Sequence, residues 1–138
     1  MVRKEIVTLN TKGDGDVVEI TGQVQGALAR TGLRQGAVVL FVPGATGALT
    51  TLEHEPGAVK DMATLFERVA PRAAEYEHDR TIGDGNGRAH VRAALFGPSL
   101  TVPFEDGRLI LGRWQRIIFI DFDTRPRSRE LVLQFLGE

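Results

Sequence analysis

Cysteine is absent from this 138-residue sequence. A chain without thiols cannot form disulfides, bind a metal through thiolates or attack a substrate with a cysteine nucleophile. It also lacks any apolar run near the ~18 residues that mark a membrane-spanning helix. The N-terminal segment has no apolar stretch typical of a secretory signal. We therefore expect a cytoplasmic protein with no membrane partner.

The sequence also lacks an excess of charge of either sign. It contains 17 Lys and Arg and 18 Asp and Glu, which give a net charge of −1. This balance gives no reason to expect nucleic acid as a partner. Hydrophobic residues make up 42% and charged residues 25% of the chain, as in ordinary globular proteins. The length suits one domain over residues 1–138.

Hydrophobic periodicity predicts about eight or nine strands and three helices. The predicted strands are Arg3–Leu9, Asp16–Ile20, Ala37–Val42, Thr46–Glu53, Ser99–Phe104, Arg108–Leu111, Arg116–Asp123 and Leu131–Leu136. The predicted helices are Gly22–Arg30, Ala58–Val69 and a short segment around Val91–Leu95. Short connections between the later strands favour antiparallel pairing. The fold class is therefore α+β, with mixed or antiparallel sheets.

Three patterns predict which faces are buried. Thr21 is a plausible N-cap of the first helix, whose Val24, Ala27 and Leu28 we expect to face inward. In the last helix, Val91, Ala94 and Leu95 share one face. The strand that contains Ile117–Phe122 is apolar on both faces. Such a strand must be covered on both, by helices of its own chain or by another subunit.

The segment from Arg72 to Arg88 is long and polar, and loops of that length are usually functional or disordered. It ends in Gly-Asp-Gly-Asn-Gly, whose amides can cradle an anion where the next helix begins. Two arginines one helical turn apart can add positive charge. A simple tight turn explains the glycines equally well. The predicted anion-binding residues are Gly85, Asn86, Gly87, Arg88 and Arg92.

Each of the three histidines, His54, His78 and His90, has a carboxylate nearby in the sequence. Imidazole and carboxylate together can bind a divalent metal, and imidazole alone is a general base near neutral pH. The spacing matches no local metal motif, so the fold must bring separate segments together. The alternative is that each histidine is a half-exposed polar residue without a function.

Three further features are weaker indications. Ser99 follows Gly97-Pro98 but lacks the surroundings of a nucleophilic serine. Trp114 and Gln115 can form a stacking platform for a ligand or belong to the core. Arg125, Arg127 and Arg129 alternate along a predicted turn, where we expect them in solvent.

Four stretches together resemble the YjbQ-like family, whose members carry the label secondary thiamine-phosphate synthase. The stretches are YEHD (Tyr76–Asp79), GRAHVRAALFGPSLTVP (Gly87–Pro103), DGRLILGRWQRIIFIDFD (Asp106–Asp123) and the closing LGE (Leu136–Glu138). The resemblance implies an α+β fold and a homotrimer whose sheets pack around a threefold axis.

The resemblance also implies a site and a reaction. Many members have a histidine in a segment like HTTAALTINE, where this chain reads GATGALTTLE, with Gly44 at the histidine position and Glu53 retained. The implied catalytic set is therefore His78, His90 and Glu53, with a possible divalent metal on the two histidines. The implied reaction joins hydroxymethylpyrimidine diphosphate to thiazole phosphate, and the diphosphate leaving group needs cationic groups or a metal.

Three hypotheses follow for the function. The protein is an enzyme acting on a small phosphorylated molecule, a trimeric protein that binds a small anion or metal without turnover, or a purely structural trimer. An enzyme site should pair histidine with carboxylate, whereas a simple anion site needs only arginines and amides.

Overall fold

The computed structural model describes every residue from Met1 to Glu138 and contains eight strands and four helices. The strands are β1 (Val2–Thr11), β2 (Asp16–Glu19), β3 (Gly36–Phe41), β4 (Gly47–Leu52), β5 (Ser99–Glu105), β6 (Arg108–Leu109), β7 (Arg116–Asp121) and β8 (Arg127–Gly137). The helices are α1 (Thr21–Thr31), α2 (Pro56–Val69), α3 (Glu77–Thr81) and α4 (Gly87–Phe96). The α+β class is confirmed.

The strands form two sheets in which every neighbouring pair is antiparallel. The larger sheet has the order β1-β8-β3-β5-β6 and the smaller one the order β2-β7-β4. In the longest ladder β1 pairs with β8, so Val2 lies opposite Leu136 and the two ends of the chain meet. The predicted hairpin at Asp106-Gly107 is confirmed, with φ of 52° and 73° at these residues, as a tight turn between β5 and β6 requires.

Strand β7 lies between two hydrophobic cores. Ile117 and Phe119 face the first core, which the larger sheet and α1 complete. Ile118 and Ile120 face the second core, which contains residues of α2 and α4. Helices and sheets of the same chain therefore cover both apolar faces of β7, and this strand does not require another subunit.

Helix α1 buries Val24, Ala27 and Leu28, as its spacing predicts. The predicted N-cap was wrong, because Thr21 is the first helical residue and Ile20 precedes it without a side-chain cap. The Thr21 hydroxyl instead accepts a hydrogen bond of 2.8 Å from the backbone N–H of Ile117. This contact joins the start of α1 to β7.

Helix α4 faces the opposite way from the prediction. Val91 and Leu95 are exposed, at 46% and 58% of their surface, whereas the helix buries Arg88 and Arg92. The two arginines lie inward because carboxylates and a backbone carbonyl of the chain hold their guanidinium groups. The buried side of the helix therefore combines these two arginines with the small residues Ala89 and Ala93, which belong to the second core.

The segment predicted as an irregular loop contains the five-residue helix α3. Arg80 pairs with Glu77 one turn earlier and with Glu75 just before the helix. A helix of this length buries no residue, so it leaves no apolar period in the sequence. Its position matters because it carries His78.

One large apolar surface stays uncovered in the single chain. It is the outer face of the larger sheet, and we call it the outer sheet face. Antiparallel sheets that face water normally alternate apolar and polar residues, with the polar ones outward. Here the outward residues of β1, β8 and β3 include Ile6, Val39, Phe41, Val132 and Leu136.

A buried ion pair joins the two sheets. Arg129 of β8 donates two hydrogen bonds, of 2.8 and 2.9 Å, to the carboxylate of Asp121 at the end of β7. The Thr11 hydroxyl donates a third, of 2.6 Å, and Arg129 also bonds to Thr46. Burial alone would raise the pKa of Asp121, but these hydrogen bonds outweigh it and hold the pKa below its usual value. Arg129 is thus buried, contrary to the prediction.

We expect Asp121→Asn to lower the free energy of unfolding by about 3 kcal/mol or more, because it leaves the Arg129 guanidinium buried without its counter-ion. Urea unfolding at neutral pH measures the change. The matched control is Asp61→Asn on the exposed side of α2, for which we expect a change within about 0.5 kcal/mol. Equal changes in the two variants would contradict a structural role for the pair.

Candidate functional site

The fold brings His78 and His90 together. His78 lies on α3 and His90 on α4, and the centroids of their rings are 4.3 Å apart. Both side chains are half-buried. This packing brings together two histidines from separate segments. Their rings form the centre of the candidate site.

Two carboxylates converge on the first histidine. His78 Nδ1 lies 3.5 Å from Asp84 Oδ1 and 3.6 Å from Asp79 Oδ1. That nitrogen is buried and has no hydrogen-bond partner. Gly83 and Gly85 adopt φ of 81° and 71°, so the chain turns sharply on both sides of Asp84 and directs it back to α3.

The three side chains fit a divalent metal ion. Their ligand atoms all lie within 4.8 Å of one another. The distances of 3.5 and 3.6 Å are too long for hydrogen bonds. Two ligands bound at 2.0–2.2 Å to one tetrahedral ion are about 3.4 Å apart, which agrees with them. One imidazole and two carboxylates suit Zn²⁺ or Mn²⁺, and three protein ligands leave positions open for a substrate.

Backbone and amide groups orient the two carboxylates. The N–H of Gly87 donates a hydrogen bond of 2.8 Å to Asp79 Oδ1. The Asn86 side-chain amide, in the orientation that satisfies its partners, donates one of 2.8 Å to Asp84 Oδ1. Contacts of this kind fix metal ligands in position. The N–H of Gly87 and the side chain of Asn86 therefore bind carboxylates of the chain itself.

The two arginines predicted to bind an anion are engaged elsewhere. Arg88 donates a hydrogen bond of 3.0 Å to Asp14, and Arg92 donates to Glu67 at 2.8 Å and to the carbonyl of Ala70. Both side chains are almost fully buried. The structure thus gives them partners within the chain and does not bring their charges to the histidines.

Asp14 holds the segment that carries the site. It lies in the turn between β1 and β2, with φ of 56°, and pairs with Arg72 at 2.6 Å and Arg88 at 3.0 Å. These arginines flank α3 and the glycine-rich loop. The hydrogen bond from Arg72 lowers the pKa of Asp14, burial opposes this effect, and Arg88 adds to the lowering. The sequence gives no sign of this role, because Asp14 and its partners are distant in the chain.

A pocket of about 220 Å³ opens beside His90. Apart from the imidazole, its lining consists of small residues from α4 and from the chain around β4: Gly44, Ala45, Gly47, Ala93, Ala94 and Pro98. Gly44 occupies the position where the family resemblance places a histidine. Without a side chain there, the pocket stays open in this protein.

Glu53, the third residue of the implied catalytic set, lies away from the histidines. Glu53 lines a second pocket, of about 240 Å³, together with His54, Glu55, Trp114 and Arg116. Glu53 follows the far end of β4, about 20 Å along the strand from the residues beside His90. The structure therefore does not bring Glu53 to the histidines within one chain.

Trp114 is exposed, and the Arg113 guanidinium stacks over its ring at 4.8 Å. Gln115 holds this loop, because it bonds to the N–H of Gly112 and to the Thr51 hydroxyl. Ser99 begins β5 opposite Phe41 and is exposed. Trp114 and Gln115 therefore lie on another part of the surface than the pair of histidines, whereas Ser99 follows Pro98, which lines the pocket beside His90.

Comparison with known proteins identifies the family. The sequence profile described as UPF0047 protein YjbQ-like matches residues 5–138. The chain belongs to the YjbQ-like family. A UPF0047 protein of Archaeoglobus fulgidus is 38% identical over 130 residues, which cover 94% of this chain and 98% of the relative. The UPF0047 protein YugU of Bacillus subtilis is also 38% identical, over 97% of this chain and 98% of its own.

Solved structures of similar proteins share the fold. A hypothetical protein from Aeropyrum pernix is 32% identical, and the match covers 99% of each chain with a TM-score of 0.90. A protein of unknown function from Sulfolobus solfataricus is 26% identical, with complete coverage of both chains and a TM-score of 0.89. These matches confirm the resemblance and the fold. No helix in the structure is both long and apolar enough to cross a membrane.

Asp14→Asn should weaken the attachment of the segment from Arg72 to Arg88, which carries His78, to the turn between β1 and β2. The size of this effect should depend on pH. Because the pKa of Asp14 is lowered on folding, its contribution is present above the unfolded value of about 3.9 and is lost as pH falls through the folded value. We expect the variant to be less stable by about 1 kcal/mol or less at pH 7, since the pair is partly exposed. The difference should shrink towards pH 3.

Urea unfolding of both proteins at several pH values measures this difference. Asp106→Asn is the matched control, since Asp106 has a similar backbone, φ 52°, but an exposed ion pair with Arg34. We expect little change from the control at any pH. A difference for Asp14→Asn that stays constant between pH 7 and pH 3 would argue against the carboxylate as its source.

Proposed function

We propose that this protein binds a divalent cation with His78, Asp79 and Asp84 and through it acts on a small phosphorylated compound. The observation that supports the proposal most directly is the buried His78 Nδ1, which has no hydrogen bond and lies 3.5 and 3.6 Å from two carboxylate oxygens. A nitrogen in that position has an unused lone pair or proton and two anionic neighbours. A metal ion satisfies all three groups.

The charges around the site favour the binding of a cation over the binding of an anion. Asp79 and Asp84 are both close to His78, whereas Arg88 and Arg92 are held by other carboxylates. Like charges repel a phosphate from two unpaired carboxylates. A bound divalent cation supplies the positive charge that a phosphate, or a leaving diphosphate, requires. These contacts give less support to the alternative, in which arginines and amides alone bind an anion without a metal.

His90 is the residue that we propose for proton transfer. Its ring packs on His78 without belonging to the compact ligand set, and it borders an open pocket. Imidazole exchanges protons near neutral pH, so His90 suits the role of general acid or base for a substrate in this pocket. The family resemblance implies one such reaction, the joining of hydroxymethylpyrimidine diphosphate to thiazole phosphate with release of diphosphate.

A second candidate is binding of a metal and a small anion without turnover. The observation in its favour is that His78 and His90 are only half-buried in the single chain, so water reaches both rings. Efficient chemistry on a phosphorylated substrate normally requires a site that excludes water. The role of His90 separates the two functions.

Isothermal titration of Zn²⁺ or Mn²⁺ into the metal-free protein tests the cation site. We expect one ion per chain, and His78→Ala should weaken its affinity by at least tenfold, because one of three ligands is lost. His54→Ala is the matched control, since His54 lies in the second pocket, and should bind as the wild type does. Equal affinity in the wild type and in His78→Ala would contradict the proposal.

His90→Ala separates the enzyme from the binding protein. We expect it to retain the metal, because His90 is outside the ligand set, and to lose about 10²-fold or more of the rate of the coupling reaction. Turnover of the metal-loaded wild type, lost in His90→Ala, supports the enzyme. Metal binding in both proteins with no turnover in the wild type supports the second candidate.

We also propose that the chain forms a homotrimer through the outer sheet face. The row Ile6, Val132 and Phe41 runs across three strands of this face and has no cover within the chain. An uncovered apolar face of this kind marks an interaction surface. The family resemblance implies a homotrimer, so we propose that other copies of this chain cover the face.

Phe41→Asp should convert the trimer into a monomer, because a carboxylate at the centre of a buried interface loses its hydration. Light scattering after size-exclusion chromatography measures the mass. Leu65→Asp is the control, since Leu65 is similarly exposed, at 42% against 43%, but lies on α2, which is not part of the larger sheet. A monomeric wild type, or a Phe41→Asp variant that remains trimeric, would overturn this assignment.

A further inference from the structure

We infer that the free edge of β1 binds an extended, acidic segment of another protein, which joins the five-stranded sheet as an additional strand. β1 is the outermost strand of this sheet and contains ten residues, whereas β6 at the opposite edge contains two. Exposed edge strands are commonly short, because unpaired backbone groups attract other strands. The free edge of β1 is the longest in the molecule.

The register shows which backbone groups of β1 are free. The Met1 amino group donates to the carbonyl of Gly137 at 2.9 Å, and the N–H of Gly137 donates to the carbonyl of Met1 at 3.0 Å. Hydrogen-bonded pairs alternate along an antiparallel ladder, so the odd-numbered residues of β1 bond to β8. The even-numbered ones direct their N–H and C=O groups away from the sheet: Val2, Lys4, Ile6, Thr8 and Asn10. No other strand pairs with this edge.

A groove beside the edge has room for the side chains of an added strand. It has a volume of about 540 Å³ and lies between Ile6 and Thr8 of β1 and Gly22 and Gly26 of α1. A Cβ built on Gly22 meets no atom within 4 Å, and one on Gly26 meets only the Arg30 guanidinium, at 3.8 Å. Every second side chain of a strand paired with β1 lies on the side of the sheet that carries α1. The two glycines therefore leave space for a bulky apolar residue.

The charges along the edge indicate the chemistry of the partner. Arg3 and Lys4 are exposed and form no ion pair in the chain, whereas Glu5, the only carboxylate of β1, pairs with Arg30 at 3.3 Å. Lysine on an edge strand opposes pairing between two copies of that strand. Glutamate or aspartate opposite these cations replaces repulsion by attraction. The edge therefore favours an acidic strand of another protein over a second copy of this chain.

Calorimetric titration with the end-blocked peptide Thr-Thr-Phe-Val-Thr-Glu-Glu-Thr tests the inference. In an antiparallel pair with residues 2–9, its glutamates lie opposite Lys4 and Arg3, and its phenylalanine lies opposite Val7, on the side of the groove. We expect binding that weakens at least about tenfold when lysine replaces both glutamates, because like charges then oppose each other. N-methyl groups on the valine and the first glutamate should weaken it at least as much, because they remove two donors to the edge.

Thr8→Pro tests the edge from the side of the protein. It removes a free N–H without breaking a bond to β8, and we expect it to weaken peptide binding at least about tenfold. The matched control is Thr101→Pro, since the N–H of Thr101 points away from β3 beyond the end of β6, and it should bind as the wild type does. In the wild-type complex, the amides of Lys4, Ile6 and Thr8 should exchange with solvent at least about tenfold more slowly than in the free protein.

A peptide that does not bind, or an N-methylated peptide that binds equally well, would overturn the inference. Equal binding of the lysine peptide would overturn the acidic character of the partner. If Thr8→Pro lowers the mass of the free protein in light scattering and Thr101→Pro does not, the occupant of the edge is a second copy and the inference is wrong. None of these results depends on a metal at His78, so they are independent of the proposed function.

Discussion

The buried ion pair between Asp121 and Arg129 is the interaction on which the architecture depends. It joins the end of β7 in the smaller sheet to β8 in the larger one, and Thr11 of β1 adds a hydrogen bond to it. Two ions removed from water are stable only with such complete pairing. Arg129 also bonds to Thr46, so the same pair fixes the connection between β3 and β4 that carries Gly44. Side-chain contacts thereby join both sheets at one end of the molecule.

The candidate site lies at this end, and a second set of ion pairs attaches it there. Asp14 holds Arg72 and Arg88 on the two sides of the segment that contains His78. Carboxylates therefore have two distinct uses in this part of the protein. Asp14 and Asp121 neutralise arginines, whereas Asp79 and Asp84 have only His78 and neutral donors beside them. That difference is the physical reason to expect a cation at the second pair.

Local patterns in the sequence predicted the features that neighbouring residues encode. The Asp106-Gly107 hairpin, the inward face of α1 and the core strand β7 follow from turn chemistry and from the period of apolar residues. The spacing of His78 and His90 left open whether they meet, and the packing of α3 against α4 brings their rings together. The wrong predictions concern residues whose partners are distant in the chain.

Val91 and Leu95 predicted the buried face of α4, but ion pairs with Asp14 and Glu67 turn the arginines inward instead. Glu53 was grouped with the histidines through the resemblance, although β4 separates them in space.

Anomalous diffraction from crystals soaked in Mn²⁺ tests the central claim most directly. The account predicts one strong peak in each chain, within about 2.0–2.3 Å of His78 Nδ1 and of a carboxylate oxygen of both Asp79 and Asp84. A peak beside Glu53, His54 and Glu55 instead, or none at His78 with the protein folded, would contradict it.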